Sequence, residues 1–156
     1  MRKIYAVLFT VVLFAGAKVN AQTNIANYTL TTTTGATYTD LGASGTVFMS
    51  GAYDDAVSTA ITMGGTFTYG GVAQTTCYIS TNGFITFGAA PSTTTYTPIS
   101  TLGTTTGAIS GYGQDAGGSA TSEIRYFNTG TEFVVQYKNH ANFYNSATES
   151  INFQIR

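Results

Sequence analysis

The end of the chain carries its clearest pattern. Ile151, Phe153 and Ile155 alternate with Asn152 and Gln154, and Phe133, Val135 and Tyr137 alternate with Val134 and Gln136. Side chains along a strand point to opposite faces in turn, so a period of two predicts half-buried antiparallel strands. EIRYF, Asn128-Thr129-Gly130 and TEFVVQYKN together predict a hairpin, with Ile124 and Tyr126 flanking Arg125. The pattern runs out inside SINFQIR, which creates the expectation that the domain continues beyond Arg156.

Earlier segments give shorter signals. Tyr28 and Leu30 alternate with polar residues, and Gly turns separate the stretches from Asn24 to Ser50. Short strands are predicted there, then near Ser58 to Met63 and near Thr66 to Tyr69, where Phe67 and Tyr69 share a face. In YISTNGFITFG, arms from Cys77 to Thr81 and from Phe84 to Phe87 flank Asn82-Gly83. Both turn residues tolerate positive φ, so the structural turn Asn82-Gly83 predicts a two-residue type I′ hairpin. Phe84, Ile85 and Phe87 cannot share one face, so either both faces are covered or a bulge shifts the register. Gly88 to Ser122 reads as loop, with a short buried strand at AISGYG and an exposed loop from Gly113 to Ser122. Many short strands between turn signals predict an all-β fold, an antiparallel β-sandwich of jelly-roll or immunoglobulin-like type.

Composition strengthens this reading. Charged residues make up 8%, far below the usual level of about 25%. Thr, Tyr, Phe and Val, which pack well on a pleated surface, are plentiful. The first residues stand apart. Arg2 and Lys3 precede an apolar run from Ile4 to Ala17, then Val19-Asn20-Ala21. This is the layout of a cleavable signal peptide over residues 1–21, too short to span a bilayer. The predicted mature domain is 22–156, secreted or on the outer cell surface, with no transmembrane segment. Removal of Arg2, Lys3 and Lys18 takes the formal charge from -1 to about -4. Arg125, Lys138 and Arg156 are too few to form a nucleic-acid surface.

Catalytic chemistry finds little to work with. Cys77, the only cysteine, sits in a predicted strand and reads as a small core residue. His140, the only histidine, follows a strand end and reads as a solvated loop residue. There is no nucleophile elbow and no His-Glu-x-x-His pair, and no two acids are brought together except adjacent Asp54 and Asp55. An enzyme is therefore not expected, nor an organic cofactor. Asp54, Asp55 and Asp115 are candidate oxygen ligands for calcium, against the simpler reading of polar turns. Tyr112, Tyr126, Tyr137 and Tyr144 are candidate binding faces for sugars or peptides, against the simpler reading of core tyrosines. Asn27-Tyr28-Thr29 matches the N-glycosylation pattern.

The order AVSTAITMGGTFTYGG, CYISTNGFITFG, AISGYGQDAGG, IRYFNTGTEFVVQYKNH, INFQIR resembles a recurrent module. That module is the N-terminal β-sandwich of large secreted or surface proteins from bacteria with a type IX secretion system. The resemblance implies export across both membranes, and a parent with immunoglobulin-like or fibronectin-like repeats and a C-terminal sorting domain. It brings no catalytic residues. In the module a further strand usually follows the position of INFQIR. The function expected is a non-enzymatic extracellular module for adhesion or for binding a glycan or protein. The alternatives are an accessory domain of a secreted hydrolase and a structural spacer.

Overall fold

The structure, a computed structural model, describes residues 28–100, 105–142 and 150–156. The expected signal peptide and Asn27 lie outside these residues. Eight strands form among them: β1 (Thr46–Ser50), β2 (Ile61–Tyr69), β3 (Val72–Ser80), β4 (Phe84–Thr86), β5 (Ala108–Ser110), β6 (Gly117–Asn128), β7 (Phe133–Ala141) and β8 (Ser150–Ile155). They make two four-stranded antiparallel sheets, in the orders β1-β6-β7-β8 and β2-β3-β4-β5. The second sheet is a meander inserted between β1 and β6, and the first is closed by that long-range pair.

The alternation in the sequence dictates what meets between the sheets. Ile124, Val135, Tyr137 and Ile155 of one sheet pack with Ile61, Met63, Cys77, Ile79, Ile85 and Phe87 of the other. The all-β antiparallel sandwich expected from the sequence is the observed architecture. Tyr137 is fully buried and crosses the core. Its hydroxyl donates to the carbonyls of Ser80 at 2.9 Å and Phe84 at 3.1 Å.

Several local expectations change. Residues 28–45 form no strand, and Tyr28 and Leu30 lie exposed. No neighbouring strand pairs with them, so alternation there has no sheet to join. The two expected strands near Ser58–Tyr69 are one strand, β2, whose register with β3 slips between Thr62 and Phe67. The expected exposed loop from Gly113 to Ser122 instead enters β6 at Gly117, with Ala116, Gly117 and Ser122 buried. Its Gly and Ser residues favour a loop locally, but pairing with β1 and β7 overrides that preference.

The turn after β3 also differs. Ser80 pairs with Phe84, leaving Thr81, Asn82 and Gly83 as a three-residue loop. Only Gly83 takes positive φ, +80°, and its N–H donates to Ser80 O at 3.3 Å. This is a turn closed by a left-handed glycine, not a two-residue type I′ turn. The cause is side-chain bonding, because Asn82 is wholly buried and held from several sides. Phe84, Ile85 and Phe87 are all buried. Ile85 and Phe87 belong to the core cluster, while Thr86 on the other face donates to Ala89 O at 2.8 Å. Both faces are thus covered.

A strap from Tyr38 to Gly45 crosses the outer face of the first sheet. Gln136, fully buried on β7, accepts from the Leu41 N–H at 2.8 Å and donates to Asp40 at 3.0 Å. Gln154 donates to Thr39 O at 2.7 Å, and Lys138 pairs with Asp40. The Lys138 contact, then the Gly42 N–H and Gln136, hold the Asp40 carboxyl down at about 2. The strap accounts for the burial of Gln136 on a face that alternation assigns to solvent.

Candidate functional site

The loops at one end of the sandwich converge on Asn82. Its Nδ2 donates to Asp55 Oδ1 at 3.1 Å and to Thr93 O at 3.3 Å, and its Oδ1 accepts from the Ala116 N–H at 3.0 Å. Beside it, Thr81 Oγ1 donates to Asp54 O at 2.8 Å and accepts from the Ala56 N–H at 2.9 Å. One short turn therefore fixes the loop after Tyr53, the segment around Thr93 and the loop before β6. Gly83 completes the joint. Its carbonyl accepts from the Tyr112 N–H at 3.1 Å, and a Cβ there would sit 2.8 Å from Tyr112 O.

The joint brings Asp54, Asp55 and Asp115 together. One carboxylate oxygen from each lies within 4.8 Å of the others. Burial first, then the charges of Asp55 and Asp54, raise the Asp115 pKa. No counter-charge relieves them among the described residues. Arg125 pairs with Glu123, Lys138 with Asp40 and Arg156 with Glu132. Chemically this is an all-oxygen, partly exposed trio, suited to a hard divalent cation that completes its shell with water. It contains no nitrogen or sulfur ligand of the kind zinc selects.

The tyrosines separate. Tyr137 is buried at 0% exposure, so the candidate binding face there is a core residue. Its place in the core cluster, with its ring stacked on Phe153 at 4.5 Å, follows from the alternation of β7. Tyr126 is half-buried and packs on Phe133 at 6.0 Å between ring centroids. Tyr112 is half-buried, with its hydroxyl on Asn142 and its ring 6.3 Å from Phe153. Tyr144 lies outside the described residues. Cys77 is fully buried, and burial pushes its thiol up to about 12, consistent with the core role read from the sequence.

His140 is the main correction. It is not a solvated loop residue but a fully buried member of β7. Asn139 adopts φ +48°, and the β7–β8 register shifts between Tyr137 and His140. That kink reverses the parity and turns His140 inward, where strict alternation points Asn139. Nδ1 lies 3.0 Å from Tyr53 Oη, and the ring meets Tyr137 edge-on at 5.2 Å. Burial pulls the His140 pKa down to about 4, against a weaker opposite pull from the Thr81 main chain. Nε2 has no hydrogen-bond partner of normal geometry. At neutral pH the ring is uncharged.

A second concavity opens between the sheets, at the end of β8. Its volume is about 290 Å³, with Phe87, Phe133 and Ile155 lining its depth and Phe67 at its mouth. Sequence reading missed it because it joins residues from β2, β4, the β6–β7 turn and β8, which no local pattern links.

Comparison with known families settles the kinship. A family described as NIDO related matches residues 27–156, most of the chain. The chain belongs to the NIDO-related family. NIDO is an extracellular domain, so this NIDO-related chain is assigned to an extracellular class of module. No curated protein and no solved structure matches the NIDO-related chain. Among its described residues, no helix is long and apolar enough to cross a membrane.

Proposed function

We propose that the chain is a non-enzymatic module of a secreted or cell-surface protein that mediates adhesion by binding a protein or glycan partner. The observation that carries this reading is the NIDO-related match over residues 27–156. The composition and the leader-like N-terminus add support. So does the fate of the reactive side chains. Cys77 and His140 are both shut in the core, one held as a thiol and the other as a neutral ring. Neither can reach a substrate while the sandwich stays closed. Export by a type IX route is part of the proposal, supported by the order and spacing of the segments from Ala56 to Arg156.

The test is binding of the purified full chain to arrays of glycans and extracellular-matrix proteins. Saturable binding to at least one protein or glycan is expected. Silence across both arrays at micromolar concentration argues for a spacer and removes the adhesion reading. Hydrolysis of an array ligand by the chain itself removes the non-enzymatic one.

A further inference from the structure

The cleft between the sheets has a depth and a rim of different chemistry. Phe87 and Ile155 in its depth are nearly inaccessible, whereas Phe67 at its mouth remains 44% exposed. A cavity of about 150 Å³ lined by Leu, Ile and Phe already takes up benzene. At about 290 Å³, this one has room for a large apolar side chain. Its rim is polar. Glu132 and Arg156 use one oxygen and one nitrogen on each other, at 2.6 Å. No other described residue bonds the second carboxylate oxygen or the remaining guanidinium N–H groups.

The edge of the cleft adds a third feature. β2 is an edge strand of its sheet. From Met63 to Thr66 it leaves the pairing register with β3. Asn128 reaches across from β6 and donates to Met63 O at 2.5 Å, holding this bulge over the cleft. The bulge thus presents main chain beside an apolar hole.

We infer that this cleft binds an extended polypeptide segment, inserting one large apolar side chain between the sheets while Glu132 and Arg156 engage its main chain. A peptide supplies both N–H donors and C=O acceptors, which matches a rim of carboxylate and guanidinium. A pyranose fits less well. Its ring hydroxyls, pushed against Phe87 and Ile155, lose water without gaining partners. The inference deepens the reading of a binding module by naming the partner class and the place.

The test uses the 15N-labelled full chain and three probes: acetyl-Thr-Phe-Thr-amide, acetyl-Thr-Ala-Thr-amide and methyl β-glucoside. The Phe peptide is expected to shift the amides of Phe67, Glu132 and Phe133 saturably. Loss of the buried ring makes the Ala peptide weaker by about tenfold or more. Thr131→Trp, at an exposed turn position on the rim, and Phe67→Ala, at the exposed mouth, are each expected to weaken the Phe peptide. They carry independent risks to folding, so either one with a wild-type-like spectrum suffices. Equal response to the Phe and Ala peptides overturns the inference, as does stronger binding of the glucoside or insensitivity to both variants. If the peptide fails but the full chain keeps its array partners, only the cleft assignment falls and the adhesion reading stands.

Discussion

His140 shows how one backbone angle redirects a residue's chemistry. Protonating it in the folded state places a charge among Tyr53, Tyr137 and Phe153. Its folded pKa is depressed to about 4 from an ordinary 6.5. As pH falls through that window the unfolded chain takes up the proton first. Stability is full above about 6.5, declines toward 4 and then levels off in this contribution. The loss amounts to roughly 3 kcal/mol. Urea unfolding across this range is expected to show that slope, flattened in His140→Phe; parallel profiles would contradict the assignment. Tyr137→Phe removes a hydroxyl that serves two main-chain carbonyls of the opposite sheet. A cost of about 1–3 kcal/mol is expected in denaturant unfolding at pH 7. Asp115 has the opposite sign to His140. Its pKa is raised in the fold, so its ionisation opposes folding as pH rises through that value. In chelator, Asp115→Asn is expected to raise Tm. If the trio holds calcium, millimolar calcium raises the wild-type Tm and leaves Asp115→Asn nearly unmoved. An unchanged wild-type Tm removes calcium from the account.

At the scale of elements, the β3–β4 turn joins the loops of the acidic end. Gly83 is left-handed and packed against Tyr112, whereas Gly70, at φ +56°, has open space where a Cβ would project. Gly70→Ala should therefore cost only the conformational penalty, about 1–2 kcal/mol. Gly83→Ala should cost more and shift the amides of Tyr112 and Ala116, because the loop must move to admit the methyl group. Equal costs would mean that the packing around Gly83 yields freely. The position of this turn was legible in Asn82-Gly83, but its type was not. Residue preference at a turn reports what φ values are allowed. It does not report that a side chain such as Asn82 is bonded to segments distant in sequence. The β7 strand was legible up to Tyr137 for the same kind of reason. Alternation is local, and the kink at Asn139 that ends it is fixed by pairing with β6 and β8.

At the scale of the molecule, the alternating stretches of β6, β7 and β8 were enough to read a sandwich. Each has one face that must be buried, and two such sheets bury each other. The strap was not readable. Tyr38 to Gly45 falls in a stretch whose pattern predicts short strands, and its contacts come instead from Gln136, Lys138, Gln154 and Arg125 on other strands. The acidic trio was half legible. Asp54-Asp55 and Asp115 stood out as loop acids in a charge-poor chain, but only the fold places them side by side. Deleting the strap's main anchor by Gln136→Ala is expected to increase amide hydrogen exchange at Leu41 and Gly42 while sparing β3 and β4. Uniformly faster exchange throughout would show instead that the strap is integral to the core.

The pairing of β1 with β6 joins residues about 80 apart, as with Thr46 and Tyr126. Each sheet contains a meander of sequence neighbours, β2 to β5 in one and β6 to β8 in the other, whose connections are all far shorter than the β1–β6 separation, the longest being that from Thr86 to Ala108. β1 has no partner until β6 has been synthesised and is free to pair. Among the strand pairs of the described residues its docking carries the largest loop-closure entropy, and it belongs late on the folding path. In chain order β1 comes first, so a chain made from its N-terminus leaves β1 waiting unpaired while the whole β2–β5 meander is laid down, and the first sheet is completed only when β6 follows.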